Sequence, residues 1–217
     1  MLTFVILHSA FVLPATAAPP GLENIFPAGG QAGTRVECMV TGKGLETGSP
    51  VARSNHPGLV LLAGDKPKKF IATIAKDVPP GPYLVRFYTS EGSTPPRIFV
   101  VGKFTEPLEK EPNDVLADAQ TSEAKTNVTI NGVLEKAGDV DTHAIRVQKG
   151  KTIALELHGY ALGSPMDPAM RLLNERGVEI AAGHDTHNLD PHIEHTPTAD
   201  GTLFAQVFAF AHPPAAD

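Results

Sequence analysis

The chain has 217 residues, with 18 Lys and Arg against 24 Asp and Glu and a net charge of −6. Charges of both signs are spread along it, which excludes the concentrated basic face that nucleic-acid binding needs. Twenty Gly and twenty Pro with no Trp point to many short strands and turns, an all-β protein, and a single cysteine excludes an internal disulfide.

Leu2 to Leu13 is apolar apart from Thr3, His8 and Ser9, and Pro14-Ala15-Thr16-Ala17 follows with small residues where a signal peptidase reads. Residues 1–17 therefore read as a secretory signal peptide, too short and apolar over too few residues to span a membrane. No basic segment precedes the apolar run, so the expectation is a start further upstream or an unusual leader. The chain is expected to be secreted or periplasmic, without a permanent membrane anchor.

From Leu22 onward the pattern is strand, turn, strand. Thr34 to Thr41 alternates, with Val36, Cys38 and Val40 on one face, so Cys38 reads as a buried apolar residue. Phe70 to Ile74 is a second strand. The turn Val78-Pro79-Pro80-Gly81-Pro82 delivers Tyr83 to Tyr88, with Tyr83, Val85 and Phe87 on one face, and Arg97 to Val101 closes the unit. Strands at this spacing over residues 22–102 predict an immunoglobulin-like β-sandwich. Residues 103–114, charged and punctuated by Pro107 and Pro112, read as an acidic linker.

A second β series follows. Asn127 to Leu134 and Asp141 to Val147 are predicted strands, then the turn Gln148-Lys149-Gly150-Lys151 leads into Thr152 to Leu157. Met170 to Leu173, the turn Asn174-Glu175-Arg176-Gly177 and Val178 to Ile180 form a predicted hairpin. Ala199-Asp200-Gly201 turns into Thr202 to Phe208. No strand is predicted after Pro213-Pro214, so the sandwich is expected to lack its closing strand, as in a fragment of a longer protein.

Glu109-Lys110-Glu111-Pro112-Asn113-Asp114, Ala119-Gln120, Asn131-Gly132, Gly138-Asp139-Val140-Asp141-Thr142 and Gly163-Ser164-Pro165-Met166-Asp167 resemble, in order and spacing, the bacterial pre-peptidase C-terminal (PPC) domain. Asp190-Pro191, Asp200-Gly201 and the strand through Val207 continue the resemblance over residues 109–217. Where that family carries an aromatic after its Asp-x-Asp-Thr run, this chain has His143. Upstream, Phe26 to Thr34 and Thr41-Gly42-Lys43-Gly44-Leu45 are similar to the opening of an IPT/TIG-type immunoglobulin-like domain, with two Gly-rich turns around one strand. The resemblance implies two tandem sandwiches, the second jelly-roll-like, forming a non-catalytic accessory module of a larger exported protein.

Calcium takes about six to eight hard oxygen ligands, and Glu109, Glu111, Asn113 and Asp114 supply four such side chains within six positions. Asp139 and Asp141 face the same ion if the linker folds back onto their strand. The alternative is a charged linker that is merely solvated. Related collagen-binding domains of bacterial collagenases use linker acids and an acidic turn as ligands, so the resemblance implies calcium at these six residues. Zinc is the rival, through His184, His187, His192 and His195, but pairs three apart need a helix to aim both rings one way, and Asp185, Asn188, Asp190 and Pro191 predict a loop. Neither a His-Glu-x-x-His nor a Gly-x-Ser-x-Gly motif occurs, and Ser54-Asn55-His56 lacks an evident third partner.

The expected function is binding to a protein or polysaccharide surface, without catalysis. Two alternatives stay open: the N-terminal part of a secreted hydrolase such as a peptidase, with its catalytic domain beyond residue 217, or a structural spacer.

Overall fold

The computed structural model describes residues 18–46, 49–121 and 127–210. The segment predicted as a signal peptide and residues 211–217, where no closing strand is predicted, lie outside them. The first nine strands are β1 (Asn24–Phe26), β2 (Gly29–Gln31), β3 (Arg35–Thr41), β4 (Val51–Ser54), β5 (Leu59–Ala63), β6 (Lys69–Ile74), β7 (Gly81–Thr89), β8 (Gly92–Ser93) and β9 (Arg97–Gly102). They form two facing sheets, β1-β3-β6-β5 and β2-β9-β7-β4, with β8 paired to β7.

Period-two alternation fixes which residues meet between these sheets. Cys38 and Val40 from β3 and Phe70, Ala72 and Ile74 from β6 face Ala52 from β4, Val85 and Phe87 from β7 and Phe99 and Val101 from β9, all buried. The Phe70 and Phe87 rings meet edge-on, centroids 4.7 Å apart, an arrangement that adds to area burial. Cys38 is fully buried and burial pushes its thiol up to about 12, so it packs as a neutral apolar group.

Gly29-Gly30 is not the turn the sequence predicts. Both residues lie in β2, paired in parallel with Val100 and Val101 of β9. A Cβ on Gly30 would stand 2.5 Å from Val36 Cγ2 and 2.9 Å from Ile74 Cδ1, so glycine is needed for close approach to the core.

The second series comprises β10 (Gln120–Thr121), β11 (Val140–Val147), β12 (Ile153–Glu156), β13 (Pro168–Leu173), β14 (Glu179–His184), β15 (His192–His195) and β16 (Gly201–Ala209). Sheet β10-β11-β16-β13-β14 faces a two-stranded sheet, β12-β15. The architecture is all-β, and among the described residues the only helices are single 3-10 turns at Leu116–Asp118 and Tyr160–Leu162. No helix among them is long and apolar enough to cross a membrane.

Two predicted elements change. Asn127 to Leu134 is not a strand. It makes only isolated parallel bridges, Val128 to Thr105 and Leu108 to Asn131, because Asn127 takes a left-handed backbone (φ 57°) and the segment pairs with the linker instead of a sheet. The predicted loop around His192 is in part a strand, β15, paired residue for residue with β12. Its sequence, His-Ile-Glu-His, hides alternation because only Ile193 is apolar, and Ile193 is the side chain it buries.

The second core is thin. Met170, Leu172 and Ile193 form its buried cluster, with Ile153, Leu155, Ala181, Leu203 and Val207 half-covered around them, while Val147, Ala169, Leu173 and Ala205 are buried outside that cluster. Polar ties share the work. Asp190 is buried, and its carboxylate accepts from the amides of Gly159 (3.0 Å), Tyr160 (2.8 Å) and Ala161 (2.9 Å). Arg171 Nε donates to Gln206 Oε1 (2.8 Å), whose Nε2 donates to Thr142 Oγ1 (3.0 Å).

Phe87→Ala in the first core removes a fully buried ring and is expected to cost about 3–5 kcal/mol. Leu62→Ala, at a side chain 63 % exposed, is expected to stay within about 0.5 kcal/mol. Urea unfolding of the two variants measures both values.

Candidate metal centre

The acidic linker does not run free through solvent. Thr129 N donates to Thr105 O (3.1 Å), Asn131 N to Pro107 O (3.0 Å) and Glu109 N to Asn131 O (3.0 Å). Further on, Lys110 N donates to Gln120 Oε1 (3.0 Å), and Thr142 N on β11 donates to Asn113 O (3.0 Å). Thr142 Oγ1 also donates to Asp114 O (3.3 Å), which joins the linker to the Arg171-Gln206-Thr142 chain of hydrogen bonds. Strand alternation then turns Asp141 away from Thr142 and toward the acids that the linker delivers.

One carboxylate oxygen from each of Glu109, Glu111 and Asp141 lies within 4.8 Å of the other two. Asp141 is buried and its Oδ1 has no hydrogen-bond partner; neither has Glu109 Oε2, whose companion oxygen accepts from Val133 N. Asn113 is fully buried, and both its amide oxygen and its amide nitrogen lack hydrogen-bond partners. Glu111 is exposed and uses Oε2 to accept from Asn113 N (3.1 Å), which orders the Glu111-Pro112-Asn113 turn.

Asp114 and Asp139, the other two predicted ligands, form an adjacent subset held by Lys136. Its Nζ stands 3.5 Å from Asp114 Oδ2 and 3.4 Å from Asp139 Oδ1. Burial acts to raise the Asp139 carboxyl, but the Glu135 amide, Asp114 and Lys136 together bring it below its ordinary range. The Asp141 carboxyl goes the other way. Burial, followed by the charges of Glu109, Asp139 and Glu111, pushes it up to about 8, and burial also raises Glu109.

The contrast with Asp190 defines the chemistry. Asp190 is buried and receives three amide protons, whereas Asp141 is buried among like charges. Two ionised carboxylates at this separation repel by roughly 3 kcal/mol at an effective dielectric of about 20. The donors are hard oxygens from carboxylates and an Asn carbonyl, the set suited to calcium rather than to a softer transition metal.

The histidines do not assemble into one centre. His192 and His195 occupy β15 positions of opposite parity, so their rings leave on opposite faces. His192 Nδ1 lies 3.7 Å from Glu156 Oε1. His184 ends β14, with Nε2 3.3 Å from Asp167 Oδ1 and its ring 4.5 Å from that of Phe210. Asp167, His184 and Asp185 do converge, a grouping that sequence reasoning missed because 17 and 18 positions separate Asp167 from its two partners. Ser54 Oγ contacts the carbonyl oxygens of His56 and Leu59, each at 2.7 Å, while His56 Nδ1 accepts from Gly58 N. Both side chains are committed to shaping their loop.

No family model matches the chain, and no curated protein matches it. Solved structures with some likeness include a Bacteroides ovatus glucan-utilisation protein, SGBP-B, in complex with a mixed-linkage heptasaccharide. It is 9 % identical at a TM-score of 0.30, over 89 % of this chain and 74 % of that one. Titin domains z1z2 in complex with telethonin give 13 % identity and a TM-score of 0.23, over 91 % and 85 %. The Yersinia pseudotuberculosis adhesin InvE gives 11 % and 0.26, over 86 % and 50 %.

The raised Asp141 carboxyl fixes a pH dependence. Between its ordinary value of 3.8 and about 8 the metal-free folded state holds a proton that the unfolded state has lost. This group therefore costs stability as pH rises through that window, and the loss is complete above it. With a chelator present, urea unfolding is expected to show Asp141→Asn gaining stability relative to the parent between pH 5 and pH 8. An unchanged difference would mean that Asp141 titrates normally.

Proposed function

We propose that this chain is an exported, non-catalytic binding module of the PPC type, in which a calcium ion clasps the linker to the second sandwich. The observation that carries this reading is the convergence of Glu109, Glu111 and Asp141 beside a fully buried Asn113 with no hydrogen-bond partner for its side chain. Buried polar groups without partners are costly and rare, and a hard cation satisfies the carboxylate oxygens and the Asn113 amide oxygen at once, though not the Asn113 amide nitrogen. Glu109, Glu111, Asn113 and Asp141 would hold the ion. Asp114 and Asp139 stand next to them with Lys136 between, adding negative charge without needing direct contact.

The role of such an ion is structural. It would offset the repulsion among the three carboxylates and fix the segment that joins the two sandwiches. A sandwich pair held in this way suits attachment to a protein or polysaccharide surface, with chemistry, if any, performed by other parts of a longer polypeptide.

Thermal unfolding of the chain from Ala18 onward, with calcium and with chelator, tests the reading. Ion at a hundred times its Kd stabilises the native state by about 2.7 kcal/mol, so the midpoint is expected to rise by several degrees, and Asp141→Asn is expected to abolish most of that rise. Superimposed curves at millimolar calcium would remove the metal centre.

A further inference from the structure

The alternation that buries Val85 and Phe87 turns Leu84, Arg86 and Tyr88 outward on β7. It does the same for Val51 and Arg53, which flank buried Ala52 on β4. Register pairs Val51 with Tyr88 and Arg53 with Arg86. Val51, Leu84 and Tyr88 are 49 %, 47 % and 44 % exposed, so an apolar band flanks an arginine pair on an open sheet face.

That pair is costly as it stands. Like charges directly opposite across two strands are destabilising, and neither guanidinium has a hydrogen-bond or ion-pair partner among the described residues. Two lysines of the same sandwich, by contrast, are paired with acids. Lys69 sits between Glu37 and Asp65 at 2.8 and 2.9 Å, and Lys68 meets Glu46 at 2.7 Å. The band has arginine, tyrosine and aliphatic side chains with no Lys, Asp or Glu, in a chain with 24 acids. Protein interface cores show the same bias, and Tyr and Arg dominate their binding energy.

We infer that this face docks an acidic protein surface. Carboxylates of the partner seat on Arg53 and Arg86, where charge-assisted bidentate pairing is available, and apolar side chains of the partner cover Val51, Leu84 and Tyr88. An anionic polysaccharide satisfies the arginines but has no use for Val51 and Leu84. The inference rests on the binding-module reading and names the partner class and the surface.

The test uses the full chain and a random Glu/Tyr copolymer as the acidic polypeptide probe, with polygalacturonate in parallel and sedimentation to report self-association. Copolymer binding at low salt is expected to weaken as salt rises, by at least tenfold in the R53E/R86E double variant and severalfold in Leu84→Ser. Arg86→Thr is expected to raise the unfolding midpoint while weakening copolymer binding, which separates lost binding from lost folding. The inference is overturned if the copolymer fails to bind or ignores these substitutions. It is equally overturned if polygalacturonate binds more tightly and is indifferent to Leu84→Ser, or if the arginines instead hold a dimer of this chain together. These readings are repeated with calcium and with chelator. Loss of the calcium response alone sinks the metal centre and leaves this face standing, whereas loss of copolymer binding alone does the reverse.

Discussion

Asp141 carries the constraint on which the second half of the molecule turns. It occupies a buried position near the start of β11, where alternation gives it no choice of face, and the linker brings Glu109 and Glu111 against it. A buried carboxylate among carboxylates must gain a proton, a cation or a set of donors. The ammonium of the adjacent subset, Lys136, is committed to Asp114 and Asp139. The backbone amides that solve the same problem for Asp190 are absent around Asp141 Oδ1. Protonation to about 8 is the fallback available to the polypeptide alone.

This constraint matters more in the second sandwich than it would in the first. The first has a continuous core with three fully buried phenylalanines, and it pairs the half-buried Lys68 and Lys69 with surface acids. The second buries few large side chains between a five-stranded and a two-stranded sheet. Its order therefore leans on directional ties, such as the Asp190 amide clasp, the Arg171-Gln206-Thr142 chain and the docking of the linker. Such ties fix geometry well but add little net stability each, so a repulsive cluster of acids weighs heavily against them.

How much of this the sequence disclosed follows from the range of each signal. Strands with strict alternation, such as Val36-Cys38-Val40 or Tyr83-Val85-Phe87, are legible because burial on one face writes a period of two into the chain. Gly29-Gly30 misleads, since a strand glycine kept for close packing looks like a turn. His192 to His195 misleads because a single apolar residue, Ile193, carries the strand. At the acidic site, composition marks Glu109, Glu111, Asn113 and Asp141 as oxygen donors. Nothing local says that Lys136 will take up Asp114 and Asp139, or that Thr142 will pin Asn113 and Asp114 to β11. Apart from the Lys136–Asp139 pair, three residues apart, those facts depend on contacts more than twenty residues apart in sequence, and the fold alone supplies them.

The linker joins these two levels. At its start Gln31 Nε2 donates to Lys103 O (3.0 Å) and Ala32 N to Gly102 O (3.0 Å), fastening it to the first sandwich. At its end Asn113 and Asp114 accept from Thr142 of the second. Between these anchors lie Glu109 and Glu111, whose charges oppose the docking that the hydrogen bonds promote. A divalent ion bound as proposed would change the sign of that balance. It would turn the segment's repulsive residues into the ones that hold it, so that the same side chains would set both the stability of the thin second core and the stiffness of its connection to the first.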